Sequence, residues 1–267
     1  MNIEKKPKIA ILSIRNAYNF GGVLSSLKVV YQFCEQYFEP TVFFLGFDPE
    51  ISTSLRALKF TSAVKPLSYF GMNCIEVGAR WAFWEPGHYA CTLPTWKKLL
   101  ADYEYVFVVS GTCIAAHPAM ALNKKFVLWI GTPYTEDRAE RVKLLSGIRF
   151  LLNKLAQNKM IALEKKILEK SAFTLAISTY AKQKFETILG RCPTNLLHCG
   201  YPMAITHTSV TNIKNKEKML IAVGRFSDPR KNLDMLIRVF YKALKTIPDL
   251  KLYLVGKRPH DEKMHHL

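Results

Sequence analysis

The stretch Leu220–Asn232, LIAVGRFSDPRKN, gathers the residues best suited to holding an anion. An apolar run ends at Val223, Gly224 allows a tight turn, and Arg225 projects from the end of the run. Lys231 and Asn232 stand immediately before the next helical pattern. In open α/β sheets, ligands bind outside the carboxyl ends of the strands. An Arg and a Lys placed there, beside a helix N-terminus, form a site for phosphate oxygens. The two charges suit a diphosphate and the negative charge that grows as it departs. The plainer alternative is a solvated turn with ordinary surface charges.

The elements that must position these residues follow from the apolar periodicity. Lys8–Ile14 is a short run rich in β-branched residues and reads as a buried parallel strand. Gly21-Gly22 follow, then Leu24–Tyr37 at helical spacing, so strand, glycine turn and helix open a Rossmann-like unit. Pro40–Leu45, Tyr105–Ser110, Phe126–Ile130, Ala172–Ser178 and Asn195–His198 are further expected strands. Ser52–Ala63 reads as a helix with a strand edge after it, Leu93–Tyr103 and Ala181–Leu189 read as helices, and one long helical region is expected from Thr135 to Lys170. Tyr69–Gly87 is aromatic and irregular, and the polar Thr206–Lys218 reads as a linker. A new start follows, with strands at Met219–Val223 and Leu250–Val255 around a helix at Asn232–Thr246. That helix aligns Leu233, Leu236, Ile237, Phe240 and Leu244 on one stripe. Alternating strands and helices predict an α/β protein, a parallel sheet with helices on both faces. The expected domains are a Rossmann-like one over 1–205 and the first β-α-β of a second over 206–267.

Thirty-eight Lys plus Arg against 21 Asp plus Glu leave a net charge of +17. Such a surface favours polyanions: nucleic acid, anionic lipid or phosphorylated small molecules. Zinc-finger spacing, an RNP-type aromatic motif and a helix-turn-helix are all missing from the sequence, so no nucleic-acid partner is expected, and a basic nucleic-acid-binding protein stands as the lesser alternative. The six cysteines, at 34, 74, 91, 113, 192 and 199, form no CxxC pair. A zinc cluster is therefore not expected, and Cys34 and Cys113 sit in apolar runs as small buried thiols. This usage fits a reducing compartment. The apolar stretch Ile9–Ile14 is too short for a signal-peptide core, and no run reaches ~18 uninterrupted apolar residues.

Met219–Gly256 resembles the opening of the C-terminal domain of family 4 glycosyltransferases. The match rests on Val223-Gly224-Arg225, Lys231-Asn232, Leu236-Ile237, Phe240, Pro248, Leu252 and Leu254-Val255-Gly256. The resemblance implies the GT-B fold of two Rossmann-like domains. It also implies retaining transfer from a UDP- or GDP-sugar donor, with no metal and no cofactor. Arg225 and Lys231 then bind the donor diphosphate, with Gly224 at the turn. Gly21 and Gly22 fall where the family keeps a glycine-rich loop against the donor phosphates and acceptor. His117, after the strand Tyr105–Ser110 and the turn Gly111–Thr112, matches a loop in which some members carry a functional His; an ordinary surface His is the alternative. Ala172–Tyr180, AFTLAISTY, resembles the strand that brings Ser178 near the interdomain cleft, but Ser178 also reads as a helix N-cap. Cys199-Gly200-Tyr201-Pro202 replaces the family's PNGVD turn, without its Asn and Asp.

The family's second signature is a pair of glutamates eight positions apart, beyond the LVG strand. Glu262 has no such partner. These residues alone are therefore expected to be inactive: a fragment, a remnant that binds sugar nucleotide without transfer, or half of a split enzyme. From Arg138 to Lys170 there are nine basic and three acidic residues, and Leu144, Ile148, Leu151 and Leu155 form an apolar stripe. A basic amphipathic helix lies on an anionic membrane, or buries its stripe in the core and solvates its basic side. With the resemblance, the expected acceptor is a glycan or a lipid-linked molecule in cell-envelope polysaccharide biosynthesis. The expected location is the cytoplasm or, peripherally, the inner face of the cytoplasmic membrane.

Overall fold

A computed structural model of the chain describes residues 6–15, 22–46, 62–79, 93–143, 145–200, 217–224, 226 and 231–256. The chain divides into two compact units, Met1–Ala204 and Ile205–Leu267.

In the first unit the apolar runs form one eight-stranded sheet in the order β3-β4-β2-β1-β5-β6-β7-β8. Its strands are β1 Lys8–Arg15, β2 Glu39–Gly46, β3 Val64–Tyr69, β4 Met72–Gly78, β5 Tyr105–Ser110, β6 Phe126–Ile130, β7 Phe173–Ala176 and β8 Leu196–His198. β1 lies at the centre, parallel to both β2 and β5. Only β3 runs antiparallel, against β4. Ile9–Ser13 of β1 are all buried, as a strand covered by helices on both faces requires. Two apolar layers result: Leu12, Phe43, Val108, Leu128 and Trp96 on one side, and Ile11, Phe44, Tyr31, Val109 and Trp129 on the other.

The helices among the described residues are α1 Gly22–Glu35, α2 Leu93–Leu99, α3 His117–Ala121, α4 Tyr134–Lys143, α5 Gly147–Lys170 and α6 Thr179–Leu189. A 3-10 turn, Cys113–Ala116, leads into α3. Ser178 caps α6, its Oγ accepting from Ala181 N at 3.1 Å, and Gly190 ends the helix at φ 66°.

Three expectations change. The aromatic stretch from Tyr69 begins as a hairpin, β3-β4, turning at Phe70 and Gly71, both with positive φ (51° and 78°). The long helical region is two helices, separated where Gly147 takes φ 56°. The helix expected at Leu93–Tyr103 ends at Leu99. The expected helix at Ser52–Ala63 and the linker at Thr206–Lys218 lie almost wholly outside the described residues.

In the second unit, β9 Met219–Val223 and β10 Lys251–Val255 pair in parallel, joined by α7 Leu233–Leu244. The stripe Leu233, Leu236, Ile237, Phe240 and Leu244 holds the less exposed positions of α7. Ile221, Val223, Tyr253 and Val255, on one face of this two-stranded sheet, are exposed.

Candidate functional site

Of the residues expected to hold an anion in the second unit, Gly224 follows the carboxyl end of β9 and Lys231 precedes α7. Gly224 N donates to Val255 O at 3.0 Å, which holds the ends of β9 and β10 side by side. Lys231 folds back over Gly224, its Cδ and Cε 3.8 Å from where a Cβ on Gly224 would stand. A side chain at Gly256 would collide with Gly224 O, so this edge is backbone packed on backbone. Asn232 then opens α7 at φ 45°, its Oδ1 accepting from Met235 N at 3.4 Å. Gly224 and Lys231 are thus together, with the exposed ammonium stem next to the strand end and a helix N-terminus. Arg225 lies outside the described residues, as does 227–230.

In the first unit, Gly22 and His117 lie at the carboxyl edge of the neighbouring strands β1 and β5. Gly22 is the first residue of α1, and its carbonyl accepts from Ser26 Oγ at 2.9 Å. Gly21 lies outside the described residues. His117 is not in a loop: it is half-buried and begins α3, directly after the 3-10 turn. Pro118 fixes that first helical turn.

Two groups at this edge carry no distinctive sequence signal. The first is Glu164, fully buried on α5. Its Oε1 accepts from Tyr134 N at 2.8 Å and lies 3.6 Å from Cys113 Sγ. One carboxylate therefore ties the turn after β5 to the start of α4 after β6. Burial pushes its pKa up to about 7, against the lowering effect of the Tyr134 amide and the Cys113 thiol. Burial, and then the Glu164 charge, raise the Cys113 thiol well above its ordinary value. Among the described residues neither Glu164 Oε2 nor Thr112 Oγ1 finds a hydrogen-bond partner.

The second group is Arg15, at the end of β1. Its Nη1 donates to Glu76 Oε2 at 2.8 Å, and its guanidinium stands 5.3 Å from the centre of the Tyr69 ring. Glu76 is buried, and Gly46 leaves room for it: a Cβ on Gly46 would collide with that carboxylate. The only trace in the sequence is a charge ending one apolar run and another inside β4.

Two recesses are formed by described residues. One, of about 530 Å³, is at the amino ends of β6 and β7, beside Lys124, Lys125 and Lys170. The other, of about 210 Å³, lies between α4 and α5, where Arg138 Nη2 donates to Asn153 Oδ1 at 2.7 Å. Among the described residues no group of three His, Cys, Asp or Glu is placed to hold a metal ion. Nor is any described helix long and apolar enough to cross a membrane. Cys34 and Cys74 are buried as free thiols, and burial pushes both up to about 11.

No protein-family model and no curated protein matches this sequence. Its fold does match solved structures. A sucrose-phosphate synthase from Thermosynechococcus elongatus aligns at TM-score 0.58 and 14% identity, over 97% of this chain and 64% of that one. A putative UDP-N-acetylglucosamine 2-epimerase from Listeria monocytogenes aligns at 0.54 and 11%, over 98% and 65%. A lipopolysaccharide outer core galactosyltransferase, WaaB, aligns at 0.52 and 15%, over 94% and 68%. The chain thus spans about two thirds of the length of the structures it matches. At these identities the likeness defines the fold: α/β, Rossmann-like, of the GT-B type.

Proposed function

We propose that the chain is part of a family 4-type, hexosyltransferase-like glycosyltransferase. It moves a sugar from a UDP- or GDP-sugar to a glycan or lipid-linked acceptor, with retention of configuration and without a metal. The observation that carries this reading is the packing of Lys231 on Gly224 at the carboxyl end of β9, beside the cap of α7. In this reading Arg225 and Lys231 hold the two phosphates and take up the charge released when the sugar leaves. In the same reading Gly21, Gly22 and Gly224 belong to the donor diphosphate site, and His117 is the catalytic residue. The working location is the cytoplasm or the inner face of the cytoplasmic membrane.

The reading makes donor binding depend directly on Arg225 and Lys231. Titration calorimetry of the whole chain with UDP, GDP and their glucose conjugates tests this. One nucleotide should bind, and Lys231→Ala or Arg225→Ala should each weaken it by about tenfold or more, the worth of one charge-assisted hydrogen bond. Equal affinity in wild type and both variants would sink the proposal, as would no binding at all.

A further inference from the structure

The apolar stripe of α5 does not face the core. Asn153, Ala156, Met160, Glu164 and Ile167 turn inward, and the first three of these are under a tenth exposed. Ile148, Phe150, Leu151, Leu152 and Leu155 are 73, 46, 55, 39 and 67% exposed. From Gly147 to Leu152 every described side chain is exposed, so the first turn and a half of the helix stand clear of the sheet. Single exposed leucines are ordinary, but five large apolar side chains within eight residues form a patch that marks an interaction surface.

Charge identifies the occupant. From Arg141 to Leu163 the sequence has five basic residues and no acidic one. Lys154 is exposed on the same turns and Lys159 on the next one. A second copy of this chain would bring the same positive charges against the patch, from a molecule already at +17. A groove on a partner protein receives one stripe of a helix. Here Phe150 and Leu152 extend the apolar surface beyond the stripe of Ile148, Leu151 and Leu155. A broad apolar tip flanked by lysines fits the boundary between anionic headgroups and acyl chains.

We propose that the first three turns of α5 dock the protein on an anionic bilayer. The five apolar side chains enter the acyl boundary, while Lys154 and Lys159 meet headgroup phosphates. The inference rests on this surface alone and holds whether or not the chain transfers a sugar.

The test is flotation of the whole chain, without nucleotide, on phosphatidylcholine vesicles with and without roughly one third phosphatidylglycerol. Wild type should float with the anionic vesicles only, and added salt should release part of it. Leu151→Ser with Leu155→Ser should cut the bound fraction by at least about tenfold, since both side chains leave the acyl boundary. Lys154→Gln with Lys159→Gln should weaken binding to anionic vesicles. As a check independent of the serine variant's folding, Leu151→Trp should blue-shift its emission when anionic vesicles are added. Wild type that stays unbound on anionic vesicles overturns the proposal. Equal flotation of the serine variant, or an unshifted Leu151→Trp spectrum, also overturns it. So does a concentration-dependent dimer that Leu151→Ser with Leu155→Ser dissolves, since the occupant would then be a second copy.

Discussion

Replacing Glu164 by glutamine should stabilise the protein above neutrality and leave it nearly unchanged in acid. Glu164 is fully buried and its carboxyl is raised from 4.5 to about 7, chiefly by burial. Because the folded value exceeds the unfolded one, the folded protein holds the proton over the interval between them. Stability contributed by the neutral carboxyl is therefore complete below about pH 4.5 and falls as pH rises to about 7. The loss amounts to about 3 kcal/mol by pH 8, the cost of ionising a buried acid. Glutamine keeps the acceptor for the Tyr134 amide and cannot ionise. Urea unfolding of both proteins, followed by far-UV circular dichroism from pH 4.5 to 8.5, gives the difference in stability at each pH. That difference should grow with pH, in favour of the variant, and level off above about pH 7. Heating should show the same trend, with a rise in Tm on the order of 6–12 °C at pH 8 for a unit of this size. A difference that stays constant across the range would refute the reasoning, because any pH-independent effect of the amide shifts the whole curve equally.

Three further outcomes follow from the packing. Phe43→Ala removes a fully buried ring set edge-on to Tyr103, with centroids 5.3 Å apart, and should cost about 3–5 kcal/mol in urea unfolding. Arg15→Met removes the guanidinium that donates to the buried Glu76 carboxylate and should cost about 3 kcal/mol. Arg15→Lys, which keeps the positive charge, should lose less in the same urea unfolding; equal losses for the two variants would contradict the ion-pair account. Asn232→Ala removes the α7 cap and, with it, the side-chain amide that lets this residue hold φ 45°, for a loss of about 2 kcal/mol. Amide exchange should quicken in α7 and not in α1.

The buried strands were legible because a parallel sheet covered on both faces demands continuous apolar runs, as in Lys8–Arg15 and Tyr105–Ser110. The hairpin β3-β4 was not. β3 is an edge strand with exposed Val64, Lys65 and Pro66, so it carries neither a continuous apolar run nor full alternation. Its turn places Phe70, an unusual residue for positive φ, where Asn or Gly would have given a signal. At the candidate site, Gly224 and Lys231 were readable since they are close in sequence and flank a strict strand-to-helix transition. Arg15 with Glu76, and Glu164 with Cys113 and Tyr134, were not. Their partners are 61, 51 and 30 residues apart; the order of the sheet brings the first pair together, and the packing of α5 on the turns after β5 and β6 brings the others.

The orientation of α5 shows where periodicity stops deciding. Spacing finds the stripe Ile148, Leu151 and Leu155 but carries no sign, since a stripe fits equally well against a core or against lipid. The sign comes from the far end of the helix. Glu164 must reach the Tyr134 amide, and Ile167 and Leu168 must fill the layer under β6. With the last turns fixed in rotation, 3.6 residues per turn carry Asn153 and Ala156 inward and Leu151 and Leu155 outward. A buried acid near the C-terminal end of the helix thus decides which side chains its N-terminal end exposes. The same geometry gives the patch its consequence. Turning Leu151 and Leu155 inward would take Glu164 away from Tyr134 and Cys113, so the helix cannot hide its apolar tip without breaking the contact that orders the turns after β5 and β6.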